Sequence, residues 1–222
     1  MVSLNHFKAL RWERPAELLK TISNCGGGLR GGALVKFTRC HVPGAYVVDL
    51  EPIEDERGFF ARIWCRQEFQ ALGLTADFEQ ASISMNRMKG TLRGMHQQVA
   101  PYEEVKLVRC TRGAIYDVIV DLRVDSPSYC QWFAVELTAD NRKMVYVPAG
   151  VAHGFQTLTD QSEVLYQISE GYRPELARGV RWNDPAFRIE WPIPNPIVSA
   201  RDRNFSDFSP SLERVAVGKK ES

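Results

Sequence analysis

The sequence predicts an all-β fold of the sandwich or barrel class, and three observations carry that expectation. Short runs rich in Val, Ile, Tyr and Phe recur from Val35 onward, the side chains that suit a pleated, half-buried surface. Turn signals punctuate them at close intervals, at Thr111–Gly113, Asp125–Pro127, Asp140–Asn141 and Pro148–Gly150. The only helical stretch in the middle of the chain, Gln67 to Leu72, is stopped at once by Gly73. Many short strands with few helices between them make a sandwich or barrel. A chain of 222 residues is long enough to bury one large core, and no second domain and no solenoid-like repeat is legible in it.

Taken in order, residues 1–34 stand apart as an expected flexible extension. Arg14 to Ser23 suits one short amphipathic helix, with Leu18, Leu19 and Ile22 on a face. Gly26–Gly28 and Gly31–Gly32 then read as a linker. A phosphate-cradling loop is the alternative there, but the Gly-Lys-Ser/Thr ending and a preceding strand are both missing. The main domain is expected over 35–210. Its strands are expected at Ala45–Leu50, Phe59–Trp64, Val105–Cys110, Ala114–Leu122, Gln131–Leu137, Met144–Val147, Gly154–Thr157 and Glu163–Ser169. Ile115 to Leu122 is apolar at most positions, which implies burial on both faces. The segment after Pro192 is proline-rich and then polar, and is expected to lie along the surface. Residues 211–222 are expected to be a disordered tail.

The net charge of +1 implies no nucleic-acid or membrane partner. No apolar run approaches the roughly 20 residues that span a bilayer, and no signal-peptide pattern opens the chain. The five cysteines are odd in number and form no Cys-x-x-Cys pair. That usage fits free thiols in a reducing compartment, so a cytoplasmic location is expected.

Candidate chemistry concentrates between Gly90 and Lys106. Arg93, His96 and Lys106 fall close together there, with glycines flanking the arginine. If Leu92 to Gln98 is a strand, Leu92, Gly94, His96 and Gln98 share one face, and Arg93, Met95 and Gln97 the other. A bend at Gly94 is needed to bring Arg93 round to the His96 side. A base beside two fixed cations is what proton abstraction next to a carbonyl requires: the base takes the proton and the cations hold the enolate charge. Of the four histidines, His6 and His41 read as surface residues. His96 and His153 sit among the strands, where a lone histidine is more often structural than functional.

Pro148-Ala-Gly-Val-Ala-His153 resembles the second motif of the cupin superfamily, a jelly-roll barrel. Many cupins bind a metal through a His-x-His pair, a glutamate and the later histidine. Here the first motif is His96-Gln97-Gln98, without its second histidine. A metal set would have to be drawn from His96, His153 and one of Glu103 or Glu104, with Gln98 as a weak fourth. A longer series of motifs is more specific. Asp55-Glu-Arg-Gly-Phe-Phe60, Gly90–His96, Lys106–Arg109, Arg112–Val118 and Asp121–Pro127 appear in that order. Pro148–Phe155, Tyr166, Trp182-Asn-Asp-Pro185, Trp191-Pro192 and Ser199-Ala-Arg-Asp202 follow. Together they are similar to the dTDP-4-dehydrorhamnose 3,5-epimerase family, a metal-independent branch of the cupins, over about Val35 to Asp207.

The resemblance implies a single jelly-roll (double-stranded β-helix) barrel with a few short helices and no cofactor. It also implies a homodimer, with the strand region Val35–Leu50 exchanged or paired across the interface, and a nucleotide-linked 4-keto-6-deoxy sugar as substrate. It assigns His96 as the base, Asp202 as the carboxylate paired with it, Lys106 as the cation near the enolate oxygen, and Tyr166 as the acid on the opposite face. It places His153 in the pocket lining and Arg57, Phe60, Gln80 and Arg93 at nucleotide and phosphate contacts. The chain departs from the pattern at Arg62, where a nucleotide-contacting glutamate is common, at Gln97, at Val151 and across Ala81–Ser84. These departures bear on the substrate rather than on the class of reaction.

Overall fold

The structure, a computed structural model, describes residues 34–209. The expected Arg14–Ser23 helix, the glycine-rich linker and the 211–222 tail lie outside the described residues. The elements run β1 (Val35–Arg39), β2 (Tyr46–Leu50), β3 (Ile53–Asp55), β4 (Gly58–Phe60), α1 (Arg66–Ala71), β5 (Gln80–Asn86), β6 (Thr91–Gln98), β7 (Lys106–Arg112) and β8 (Ala114–Asp121). Then come β9 (Trp132–Thr138), β10 (Met144–Val147), β11 (Val151–Thr157), β12 (Ser162–Ile168), β13 (Ala177–Gly179), β14 (Ile197–Val198) and α2 (Ala200–Arg203). One sheet has the order β1-β2-β10-β7-β12-β5, and the other β13-β6-β11-β8-β9 with β14 added to β6. The arrangement is the expected all-β jelly roll. No described helix is long and apolar enough to cross a membrane.

The two sheets face each other across one core. Val108, Cys110, Val145, Val147 and Val164 from the first sheet meet Ile115, Ile119, Leu137, Val151 and Phe155 from the second. The second sheet is also covered on its outer face. Met95, Val118, Val120 and Ala152 pack there with Val180 and Phe187 from the C-terminal segment. This double burial is why β8 carries apolar side chains on both parities, as its sequence implies.

Several expectations need correction. The run Phe59–Trp64 is a strand only as far as Phe60. It forms a short exposed hairpin with β3, and with no further partner among the described strands it has no ladder to extend along. The chain after it turns into α1, where the Arg62 guanidinium bonds Glu68 at 2.7 Å. β11 begins at Val151 rather than Gly154, because Gly150, at φ +74°, makes the turn. β5 is an edge strand that its mixed Gln80–Asn86 sequence does not advertise. The segment after Pro192 does not merely lie along the surface. β14 pairs with β6 in parallel, with Val198 opposite Leu92, and α2 follows at once.

The bend expected at Gly94 is present as a bulge in β6. His153 pairs with His96 and Phe155 with Arg93, so three steps on β6 oppose two on β11. Phe155 points into the core between the sheets, so Arg93 and His96 lie on that same inner face despite their odd spacing. Gly94 has φ +138°, and a Cβ there would lie 2.5 Å from Gly154 Cα. Gly94→Ala is therefore expected to destabilise the fold by roughly 2 to 4 kcal/mol through backbone strain and overpacking, read as a lowered midpoint in thermal unfolding.

Candidate active site

Strand parity fixes which side chains meet inside. Lys106 shares the face of Val108 and Cys110 on β7. Asp117 shares that of Ile115 and Ile119 on β8, His153 that of Val151 and Phe155 on β11, and Tyr166 that of Val164 on β12. His96 is opposite His153 in the ladder. The interior between the sheets thus collects His96, Lys106, Asp117, His153 and Tyr166, with Arg93 at its rim.

His96 and Asp202 form one dyad, Nε2 to Oδ1 at 2.8 Å. Asp202 is held from three sides. β14 places α2 beside β6, Ser199 Oγ accepts the Asp202 N–H at 3.1 Å, and the Gly94 N–H donates to Oδ2 at 3.2 Å. Burial works to raise the Asp202 carboxyl. The hydrogen bond and charge of His96, the Gly94 N–H and Arg201 outweigh it and hold the carboxyl below the usual carboxylate range. An ionised carboxylate only accepts, so His96 Nε2 carries the proton and Nδ1 is left as the basic nitrogen. The His96 side chain is about a third exposed, 36%, so its ring is reachable from solvent. Phe205, past α2, packs edge-on to it with centroids 6.1 Å apart.

A second dyad lies deeper. His153 Nε2 is 2.8 Å from Asp117 Oδ2, and both side chains are almost fully buried. Burial pushes the Asp117 carboxyl up, opposed by the charge and hydrogen bond of His153 and the charge of Lys106. Asp117 Oδ1 is buried and makes no hydrogen bond, an acceptor ready for a ligand hydroxyl or a proton. The Tyr166 ring stands edge-on to His153, centroids 6.0 Å apart. Burial, with the Asp117 charge adding to it, raises the Tyr166 hydroxyl well above its ordinary range, while Arg93 pulls the other way. Tyr166 therefore stays a proton donor at every ordinary pH. Lys106 Nζ ion-pairs with Glu104 Oε1 at 2.7 Å and donates to the His96 carbonyl at 3.3 Å.

The other expected residues fall further out. Arg93 Nε donates to Asn86 Oδ1 at 2.7 Å. Gln80 donates to the Glu170 carbonyl at 2.8 Å. Arg57 and Phe60 sit on the exposed β3–β4 hairpin, where the Arg57 guanidinium pairs with Asp55 and Phe60 is 68% exposed. Arg62 is tied to Glu68, which also accepts the Val35 N–H at 2.9 Å, so it braces α1 against β1. No described contact joins Arg57, Phe60 or Arg62 to the inner cluster. Asp117, Asn86 and Phe205 are members of the site that sequence reasoning misses. For Asp117 a signal existed: an acid at an inward position between Ile115 and Ile119. The donors considered for a metal are engaged otherwise, His96 with Asp202, His153 with Asp117 and Glu104 with Lys106. Among the described residues no three His, Cys, Asp or Glu side chains converge as a metal set.

The family model for dTDP-4-dehydrorhamnose 3,5-epimerase matches residues 39–210. The chain belongs to the dTDP-4-dehydrorhamnose 3,5-epimerase family. A relative from Sinorhizobium fredii, dTDP-4-dehydrorhamnose 3,5-epimerase, is 44% identical over 73% of this chain and 82% of its own length. A relative from Streptomyces niveus, dTDP-4-dehydrorhamnose 3-epimerase, is 35% identical over 73% of this chain and 79% of its own. The crystal structure of dTDP-4-dehydrorhamnose 3,5-epimerase from Bacillus anthracis, with TDP and PPi bound, superposes with a TM-score of 0.76 at 39% identity. The match covers 79% of this chain and 100% of that one. As a member of this epimerase family the chain is an isomerase-class enzyme. Five of the strands carry residues of the inner cluster: β6 brings His96, β7 Lys106, β8 Asp117, β11 His153 and β12 Tyr166.

Proposed function

We propose that this epimerase inverts C3, C5 or both in a nucleotide-linked 4-keto-6-deoxy sugar of the dTDP-4-dehydro-6-deoxyglucose type, in deoxysugar biosynthesis. The observation that carries the reading is the placement of His96 and Tyr166 on the inner faces of opposite sheets. Hydrogens beside the C4 ketone are acidic because the resulting charge spreads onto the ketone oxygen. In this reading His96 Nδ1 takes the proton, and Asp202 steadies the imidazolium that forms. The Lys106 ammonium, beside His96, offsets the charge on the enolate oxygen. Tyr166 gives a proton to the opposite face of the same carbon, and the centre inverts. One base returning its own proton would restore the starting configuration. Arg93, Gln80, Arg57 and Phe60 serve the nucleotide end in this reading, arginine suiting a diphosphate because its planar fork reaches two oxygens at once, while Arg62, expected there from the sequence, is engaged by Glu68.

The test is proton NMR of the purified enzyme with dTDP-4-keto-6-deoxyglucose in deuterated buffer. The C3 or C5 proton signal is expected to disappear as epimer accumulates. No exchange at either carbon, with this or other nucleotide 4-keto sugars, would overturn the proposal. Because the imidazoles face carboxylates, turnover is expected to survive dialysis against EDTA. Loss of activity to chelator, restored by stoichiometric metal, would favour a metal cupin. With the Tyr166 hydroxyl raised, the alkaline fall in rate from its ionisation is expected only above the ordinary tyrosine range near 10.

The chain is further read as a homodimer acting on its soluble substrate in the cytoplasm. β1 is an edge of its sheet and offers its outer backbone groups for pairing across a two-fold axis. Light scattering at micromolar concentration is expected to give twice the chain mass; a monomer would contradict this.

A further inference from the structure

We infer that Glu104 is a positioning residue for the reaction, holding the Lys106 ammonium within the inner cluster beside His96. This inference rests on the proposed epimerisation and on the enolate role of Lys106 within it. The Glu104 and Lys106 side chains are only 10% and 8% exposed, and their charged ends are 2.7 Å apart. A carboxylate is costly to hide from water, so one hidden beside the inner-cluster cation calls for an explanation. The other anchor of Lys106 is the His96 backbone carbonyl, 3.3 Å from Nζ. Lysine has a long flexible stem and three donors on a point charge. Without a second anchor its ammonium is free to swing about that single carbonyl. With both it is confined beside the base, with the rest of its surface turned to the interior.

Glu104 is itself well placed to act as an anchor. The next residue, Val105, is clamped to the end of β12. Its N–H donates to Ser169 Oγ at 2.9 Å, and its carbonyl accepts the Ser169 N–H at 3.0 Å. β12 carries Tyr166, so the strand that presents the acid also fixes the backbone presenting the anchor for the cation. The charged groups acting on Lys106 are Glu104 from the preceding loop and Asp117 from β8, and the His96 backbone carbonyl of β6 adds a neutral acceptor. Asp117 already holds His153 and lowers its own charge cost through it. Glu104 makes the closer pairing with the ammonium, and its carboxylate balances the Lys106 charge.

The decisive experiment is a double-mutant cycle on kcat and KM, with solvent-deuterium exchange as the sensitive readout. The variants are Glu104→Gln, Lys106→Ala and the pair. Glu104→Gln is expected to lower kcat about 10- to 10²-fold, the size of effect that a misplaced catalytic group produces, with KM changed little. In the Lys106→Ala background the same substitution is expected to change the residual exchange rate less than about 2-fold, since a residue acting only through Lys106 has nothing left to act on. Glu104→Asp, which keeps the charge, is expected to recover part of the loss, and serves in the cycle if the glutamine variant does not fold. An equal loss in both backgrounds, or no loss from Glu104→Gln in the wild-type background, would overturn the inference. Absence of exchange in the wild-type enzyme would instead overturn the proposed reaction.

Discussion

Replacing His96 by alanine is expected to abolish both turnover and hydrogen–deuterium exchange at C3 and C5. Removing one general base costs about 10²- to 10⁴-fold. His153 is the only other histidine of the inner cluster, but its Nε2 is turned to Asp117 and its side chain is almost fully buried. His96 by contrast reaches solvent and presents Nδ1 away from Asp202. The variant should remain folded, because the ring is about a third exposed and is not among the fully buried side chains of the core. NMR in deuterated buffer checks the exchange, and circular dichroism the fold. Exchange at near the wild-type rate would mean that another residue is the base.

Asp202→Asn is expected to have the second largest effect. An amide can donate as well as accept, so the substituted side chain is able to turn its N–H2 toward His96 Nε2 and force the ring proton onto Nδ1, the nitrogen that must be free. The result is a loss of about 10²- to 10⁴-fold in kcat, with KM nearly kept. The variant also changes the response to acid. The folded-state pKa of Asp202 lies below its unfolded value of 3.8. Its ionised form therefore adds stability above pH 3.8, and that stability is lost as pH falls through the lower, folded pKa. Asp202→Asn should flatten the acid side of a stability-versus-pH curve in that window. An unchanged curve with unchanged kcat would deny the dyad.

How much of this is legible in the sequence depends on which physical signal each part carries. The strands buried on two faces, such as Ala114–Asp121, announce themselves through apolar residues at consecutive positions. The bend at Gly94 is legible too, since parity alone puts Arg93 and His96 on opposite faces and a glycine stands between them. The edge strand Gln80–Asn86 is not legible as a strand, because a strand half open to solvent can carry Ser and Gln without cost. The β3–β4 hairpin reads as too long for the opposite reason: aromatic residues at Phe59, Phe60 and Trp64 suggest a ladder, but pairing depends on a partner that sequence does not show. The meeting of Asp202 with His96 is legible only through family resemblance. It depends on β14 joining β6, a pairing of two residues far too short to leave a pattern. Asp117 is the instructive omission. A single acid among inward-facing apolar positions is costly unless it is paired, and its partner His153 stands in a motif of its own.

The central claim is that the proton leaves from one face and returns to the other, through two different residues. Tyr166→Phe in deuterated buffer tests it most directly. The ring keeps its edge-on contact with His153 and loses only the hydroxyl, while His96 and Asp202 stay intact. The expected result is that deuterium still enters C3 or C5 of recovered substrate with the starting configuration, as His96 removes and returns protons on its own face, while inverted product falls by about 10²- to 10⁴-fold. Inverted product formed at near the wild-type rate would show that the acid is another group and that the opposed placement of His96 and Tyr166 is not the basis of inversion.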